Sequence, residues 1–202
     1  MPSEAEILRR GAEAFAELGY DGASVRELAK RLGVSHNFIN DRYGSKGQFW
    51  RAVIDAALAQ EMTARQAMDA SDDVELLRAV VTHFYVQAAR HPYLNRIMVD
   101  EFARDTDRQE YLYERYVVPT LAIVEPSVQR LIAAGKLVPI PMHLLYFAVI
   151  GPVAGVSQTA FARRLGRPAT DDPSTAARAL AEVVVNGLLP NNPAPSSTPD
   201  TA

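Results

Sequence analysis

Between positions 24 and 46 the chain gathers side chains suited to hydrogen bonding and charge pairing rather than to bond making: Ser24, Arg26, Ser35, His36, Asn37, Phe38, Asn40, Arg42, Tyr43 and Lys46. Imidazole and amide groups such as His36, Asn37 and Asn40 can donate to and accept from base edges, and an amide can pair with adenine through two bonds at once. Phe38 has the apolar surface that a thymine methyl group needs. Arg26, Arg42 and Lys46 are cations that can meet phosphate, with hydroxyls from Ser24, Ser35 and Tyr43 beside them. The chemistry so described is the reading of a DNA duplex.

Such a set works only if one short helix presents it. Ser24 is a suitable N-cap, and Leu28 and Leu32, one turn apart, form an apolar stripe on the helix that follows. Ala29 is small where a second helix must cross, and Gly33 can take the left-handed conformation that ends the first helix. Val34 plugs the turn and Ser35 is expected to cap a second helix over about 36–43, packed back through Ile39 and Tyr43. This is the spacing of a helix-turn-helix, whose second helix enters the major groove. The face opposite Ile39 then carries His36, Asn37, Asn40 and Asp41, with Phe38 and Arg42 on its flank.

The flanks extend the pattern. Upstream, residues 6–22 read as an amphipathic helix ending in a glycine turn; downstream, Tyr43-Gly-Ser-Lys-Gly-Gln-Phe-Trp50 restarts a helix capped by Ser45. Ala14-Phe15, Leu18-Gly19-Tyr20, Ser24-Val25-Arg26, Leu28-Ala29, Leu32-Gly33-Val34-Ser35, Tyr43-Gly44-Ser45-Lys46 and Phe49 together resemble the TetR family of transcriptional regulators. The resemblance covers the first quarter of the chain. It implies an all-α protein: a three-helix DNA-binding head, joined by a long helix to a larger helical domain for ligand binding and dimerisation. It also implies a phosphate contact for Lys46. Asn40, Arg42 and Asn37 depart from the residues usual in the family, so the resemblance carries no operator sequence with it.

The rest of the composition excludes other chemistry. The chain has 202 residues, no cysteine and four histidines, and no two of those histidines stand one helical turn apart. No metal set, thiol nucleophile or disulfide framework follows. Gly151-Pro-Val-Ala-Gly155 lacks the strand and spacing of a dinucleotide loop, and no serine elbow is present, so neither an enzyme nor a cofactor is expected. The start of the chain has no signal-peptide pattern, and the most apolar run, 144–156, is too short to span a bilayer. The expected setting is cytoplasmic, without a membrane partner. Net charge is −3, while Met1–Arg51 holds eight basic and seven acidic residues. DNA binding must therefore rest on local placement of cations rather than on bulk charge.

Helical periodicity continues to the end. Further helices are expected over about 46–69, 74–90, 93–104, 108–134, 142–165 and 173–189. Pro119 and Pro126 are expected to kink or break the span over 108–134, and Asp172 to cap the last helix, with Pro173 at its first position. This divides the chain into a DNA-binding head (1–51), a helical ligand-binding and dimerisation domain (52–189) and a proline-rich tail (190–202) expected to be disordered. The aromatic-rich middle suits a small, mostly apolar effector, with His83, Asn95, Tyr113, His143 and Gln158 as candidate polar anchors. Phe147, Gly151, Ala154 and Gly155, with Leu180, Val184 and Leu188, form stripes expected to pair two copies into a homodimer on a near-palindromic operator. The function so expected is a ligand-responsive repressor. The alternative left open is a helical small-molecule-binding protein that no longer recognises DNA.

Overall fold

The computed structural model describes residues 1–66, 72–153, 155, 158–168 and 172–189. Every regular element among them is helical. The head comprises α1 (Glu4–Gly22), α2 (Val25–Leu32) and α3 (Phe38–Tyr43), and α4 (Lys46–Gln66) leads out of it. There follow α5 (Asp73–Arg90), α6 (Pro92–Phe102) and α7 (Asp107–Leu112). A π-helical turn (Tyr113–Val117) joins α7 to α8 (Val118–Ala133); then come α9 (Met142–Ile150), α10 (Thr159–Arg164) and α11 (Pro173–Leu188).

Capping side chains set several of the starts. Ser3, Ser45, Asp72 and Thr106 each accept a hydrogen bond from the amide three residues on, at 2.9–3.3 Å, in front of α1, α4, α5 and α7. Each bond satisfies one of the orphan donors of a first turn. Asp172 precedes α11 as expected, but its side chain makes no capping bond to the backbone.

Two sequence expectations are corrected here. Pro126 lies inside α8 without interrupting it. The span is interrupted instead by the wide turn just before Pro119, which lies in the first turn of α8 and has no N–H to give the preceding carbonyls. The span expected over 142–165 is interrupted as well: α9 stops at Ile150, a turn follows at Gly151-Pro152, and α10 begins at Thr159. Pro152 interrupts the ladder because it has no N–H to donate, whereas Gly151 is still helical and its amide donates to Phe147 O at 2.9 Å.

Two apolar cores result. The first joins Phe15, Leu28, Leu32 and Ile39 of the head to Phe49, Trp50, Val53 and Ile54 of α4. It runs on to Leu94 and Ile97 of α6, Leu112 of α7 and Tyr116 of the π turn. α1 and α4 cross closely at Gly11, where an added Cβ would lie 2.7 Å from Phe49 Cζ and 2.8 Å from Val53 Cγ2. The second core packs Leu77, Val81 and Tyr85 of α5 on Val128 and Leu131 of α8, Leu145 of α9, and Ala177, Ala181 and Val185 of α11. Arg78 on α5 adds an ion pair to Glu182 on α11. No described helix is long and apolar enough to cross a membrane.

Candidate nucleic-acid interface

The turn between α2 and α3 is built by backbone bonds that the sequence anticipates. Ser24 Oγ accepts from the Glu27 amide at 3.2 Å and starts α2. Gly33 ends it at φ 71°, a left-handed value that glycine adopts without a side-chain clash. The amide of Gly33 donates to Lys30 O and that of Val34 to Ala29 O, which closes the helix end and turns Val34 toward the core. The helix after the turn starts later than expected. Ser35 supplies its carbonyl, not its hydroxyl, to the Phe38 amide at 3.1 Å, and His36 and Asn37 belong to the turn.

Ile39 is fully buried and fixes the rotation of α3. His36, Asn37, Asn40 and Asp41 are exposed in consequence, together with Ser24, Arg26, Lys30 and Ser35. Phe38 is not the free aromatic that the sequence suggests. It packs against the core and meets the Tyr43 ring edge-on at 6.2 Å. Tyr43 in turn lies against Phe49 at 4.9 Å with its hydroxyl buried, and burial pushes the phenol above its ordinary pKa. Both aromatics hold α3 on α4, because aromatic area is better spent in a small core than in water.

Charge in the head is largely paired within the chain. Glu6 takes Arg9 at 2.9 Å and Arg10 at 2.7 Å, and these bonds hold its carboxyl down at about 2. Arg31 is shared by Glu17 and Glu27. Arg42 pairs with Glu4 at 3.0 Å, which raises the guanidinium above its ordinary value. Lys46, expected on phosphate, donates to Tyr20 O at 3.0 Å and sits 4.2 Å from the centre of the Tyr20 ring. Arg26 and Lys30, one turn apart on α2, are exposed and carry no ion pair among the described residues. They are the cations most available to a phosphate backbone.

Side-chain contacts between head and core add to the packing and have no counterpart in the sequence pattern. Arg108 of α7 stacks on the Tyr20 ring at 3.9 Å and forms a buried pair with Glu101 at 3.0 Å. Arg104 reaches Asp21 at 2.9 Å. Farther along α4, Asp55 Oδ1 accepts from the hydroxyls of both Tyr111 and Tyr116, with Arg115 Nε 3.8 Å away. Asp55 interrupts the apolar run Val53-Ile54-Asp55-Ala56-Ala57. That interruption is the sequence signal that marks it, since a carboxylate beside a packed face needs donors.

The five candidate ligand anchors lie apart. His83 is half-buried on α5 and Asn95 buried on α6, whereas Tyr113, His143 and Gln158 are more open to solvent. A cavity of about 10 Å³ beside Trp50, lined also by Tyr20, Ile97 and Glu101, includes none of them. An open cleft along 105–113 includes only Tyr113. Of the candidate dimer residues, Phe147 is 64% exposed, and Gly151 and Gly155 are exposed too. Leu180, Val184 and Leu188 instead pack partly against the second core, and Val183, 68% exposed, takes the outer face of α11. Ala154 and the expected tail from 190 lie outside the described residues.

Residues 7–53 match the model of bacterial regulatory proteins of the tetR family. The transcriptional repressor AcnR of Corynebacterium efficiens is 37% identical over 81 residues, which is 39% of this chain and 40% of that protein. The Bacillus subtilis transcriptional regulator YezE is 25% identical over 116 residues, 54% of this chain and 59% of its own. The chain thus spans about 40–59% of the length of these curated relatives. In fold it is similar to PfmR of Thermus thermophilus, a TetR family transcriptional regulator, at a TM-score of 0.68 with 20% identity, over 93% of this chain and 98% of that one. It is similar also to FadR of Bacillus subtilis, solved with stearoyl-CoA, at a TM-score of 0.67 with 16% identity, over 92% of this chain and the whole of that one.

Proposed function

Because the chain belongs, through residues 7–53, to the tetR family of bacterial regulatory proteins, we propose that it is a sequence-specific DNA-binding transcriptional regulator. It acts as a homodimer on a near-palindromic operator and as a repressor that responds to a small molecule. The observation that carries this reading is the exposed polar edge of His36, Asn37 and Asn40 beside the exposed cations Arg26 and Lys30, on a helix-turn-helix whose packing face is complete. His36, Asn37 and Asn40 read bases, while Arg26, Lys30 and Ser24 hold the backbone. Arg42 and Lys46, held by Glu4 and by Tyr20 O, join them where their remaining N–H donors reach phosphate.

The dimer brings two α3 helices to successive major grooves, about 34 Å apart. Its surface is the outward apolar side of α9 and α11: Leu144, Phe147 and Val183, with Gly151 and Gly155 allowing close approach. The effector is a mostly apolar molecule. A long acyl chain is one such class, as in the stearoyl-CoA complex of the Bacillus subtilis neighbour, whose likeness to this chain is one of fold. The cavity of about 10 Å³ beside Trp50 admits no such molecule. Entry there requires helices to part, and that displacement is what would alter the spacing of the heads.

The test is selection of bound duplexes from a random pool by the purified protein, followed by fluorescence anisotropy on the recovered sequence. A two-fold-symmetric site bound by two chains supports the reading. Recovery of no enriched sequence refutes it and leaves a helical small-molecule-binding protein in its place.

A further inference from the structure

The Asp55 contact has a geometry that an ordinary helix does not provide. Tyr111 and Tyr116 are five residues apart, and in an α-helix five residues place side chains about 140° from one another. Both nevertheless deliver their hydroxyls to one oxygen of Asp55. The π-helical turn over Tyr113–Val117 makes this possible, because a turn closed over five residues brings positions five apart onto one face. Asp55 and the wide turn therefore support each other. The wide turn aims both phenols, and the bonds from the phenols offset the poorer packing of a wide turn.

The two sides of the contact belong to different working parts. Asp55 stands on α4, the helix that carries the head, one turn beyond Trp50 and Arg51, and those residues also rest on Tyr111, at 6.2 and 4.7 Å between ring or cation centres. The wide turn leads directly into α8, which packs on α5 in the second core. We propose that the Asp55–Tyr111–Tyr116 clasp is the regulatory latch between core and head, and that it works by a register change in the helix over 107–133. The proposal rests on the regulator reading above. While the clasp is closed, the wide turn persists and α4 is fixed. When helices of the core part, the turn relaxes to α-helical form. Tyr116 then rotates by about 100°, the angle of one residue, and leaves Asp55. α4 loses that tie and the head moves. A one-residue register step of this kind is discrete, as a switch requires.

The full-length protein carries its own reporter, because Trp50 is its single tryptophan and lies against Tyr111. The variant Tyr111→Phe/Tyr116→Phe removes both donors while keeping both rings; Asp55→Asn keeps the shape and one acceptor oxygen. In the double variant, amide exchange over 113–121 should quicken about tenfold, Trp50 emission should shift, and operator affinity should change by about fivefold or more. Asp55→Asn should move all three in the same direction by less. Unchanged exchange, or changed exchange with unchanged operator affinity, in a double variant of normal helical content overturns the proposal. If that variant does not fold, the same outcomes are read from Asp55→Asn. Absence of DNA binding by the unmodified protein counts against the regulator reading instead, and exchange and Trp50 emission still report on the clasp.

Discussion

Arg42 Nη2 lies 3.0 Å from Glu4 Oε2, so the last turn of α3 is tied to the first turn of α1. The pair is exposed on both sides and contributes little to folding. Its weight falls on binding, because the carboxylate neutralises the guanidinium and competes with phosphate for its N–H donors.

Glu4→Gln should therefore tighten operator binding by about two- to fivefold at low salt. It should also steepen the dependence of log K on log salt by up to about 0.9 for each Arg42 that gains a phosphate. Anisotropy titrations from about 50 to about 200 mM salt check both. An unchanged slope means that Arg42 does not reach the backbone.

On the same face, His36→Ala and Asn40→Ala should each cost about 1–3 kcal/mol with the selected operator and almost nothing with unrelated DNA. Arg26→Ala and Lys30→Ala should weaken both kinds of DNA alike and lower the salt slope by about 1 for each phosphate left without its cation. Competition titrations with operator and random duplexes separate the two patterns.

Gly11→Ala should destabilise the head by about 1–3 kcal/mol, because the new methyl group meets Phe49 and Val53 where α1 crosses α4. Thermal unfolding followed by Trp50 fluorescence is the direct measurement. A variant as stable as the original would show that α1 can shift away at no cost.

Much of this head is legible in its residues. Ser24, Gly33, Val34, Ile39 and Ser45 each have one geometric duty, and each performs it, because caps and turns are decided by neighbours within a few positions. What α3 presents is harder to read. Phe38 looks outward in a helical projection, but the Tyr43 ring and the core beside it offer it a better environment than water. Lys46 has the pattern of a phosphate ligand, whereas its bond goes to a carbonyl 26 positions earlier. The outer stripe of α11 runs through Val183 and not, as periodicity suggests, through Val184. Both lie within two positions of the buried Val185, and only the docking of α5 decides between them. The Asp55 clasp cannot be read from α-helical spacing at all, because the turn that creates it departs from that spacing.

That one-residue difference has a measurable consequence for assembly. Val183→Glu should convert a dimer to folded monomers, while Val184→Glu should lower stability by burying a charge against the second core. Sedimentation velocity and thermal unfolding, run on both variants, distinguish them. Dimers that persist in Val183→Glu would exclude the outer face of α11 from the interface.

Asp73 holds Arg130 through two bonds, at 2.8 and 2.6 Å, joining α5 to α8. These bonds, with help from Ser127, depress its carboxyl to about 2 from an ordinary value of 3.8. A depressed carboxyl stabilises the fold above its unfolded pKa, and the contribution is lost as pH falls through the folded one. The melting temperature of Asp73→Asn should therefore lie below that of the unmodified protein above about pH 4, and the gap should close toward about pH 2. A gap that stays constant across that fall in pH would mean that the pair contributes nothing through charge.

The first core does not respect the border between the head and the helices that follow it. Trp50, Val53 and Ile54 belong to one packed cluster with residues of α1 and with residues of α6 and α7. Anyone transplanting this head onto another helical domain by cutting after residue 51 would cut through that shared packing. The transplantable unit includes α4 to at least Leu58, and its recipient must supply counterparts of Ile97, Leu112 and Tyr116. Compatibility in chimeric regulators built from this chain will thus be decided along the flank of one helix, whatever operator the head prefers.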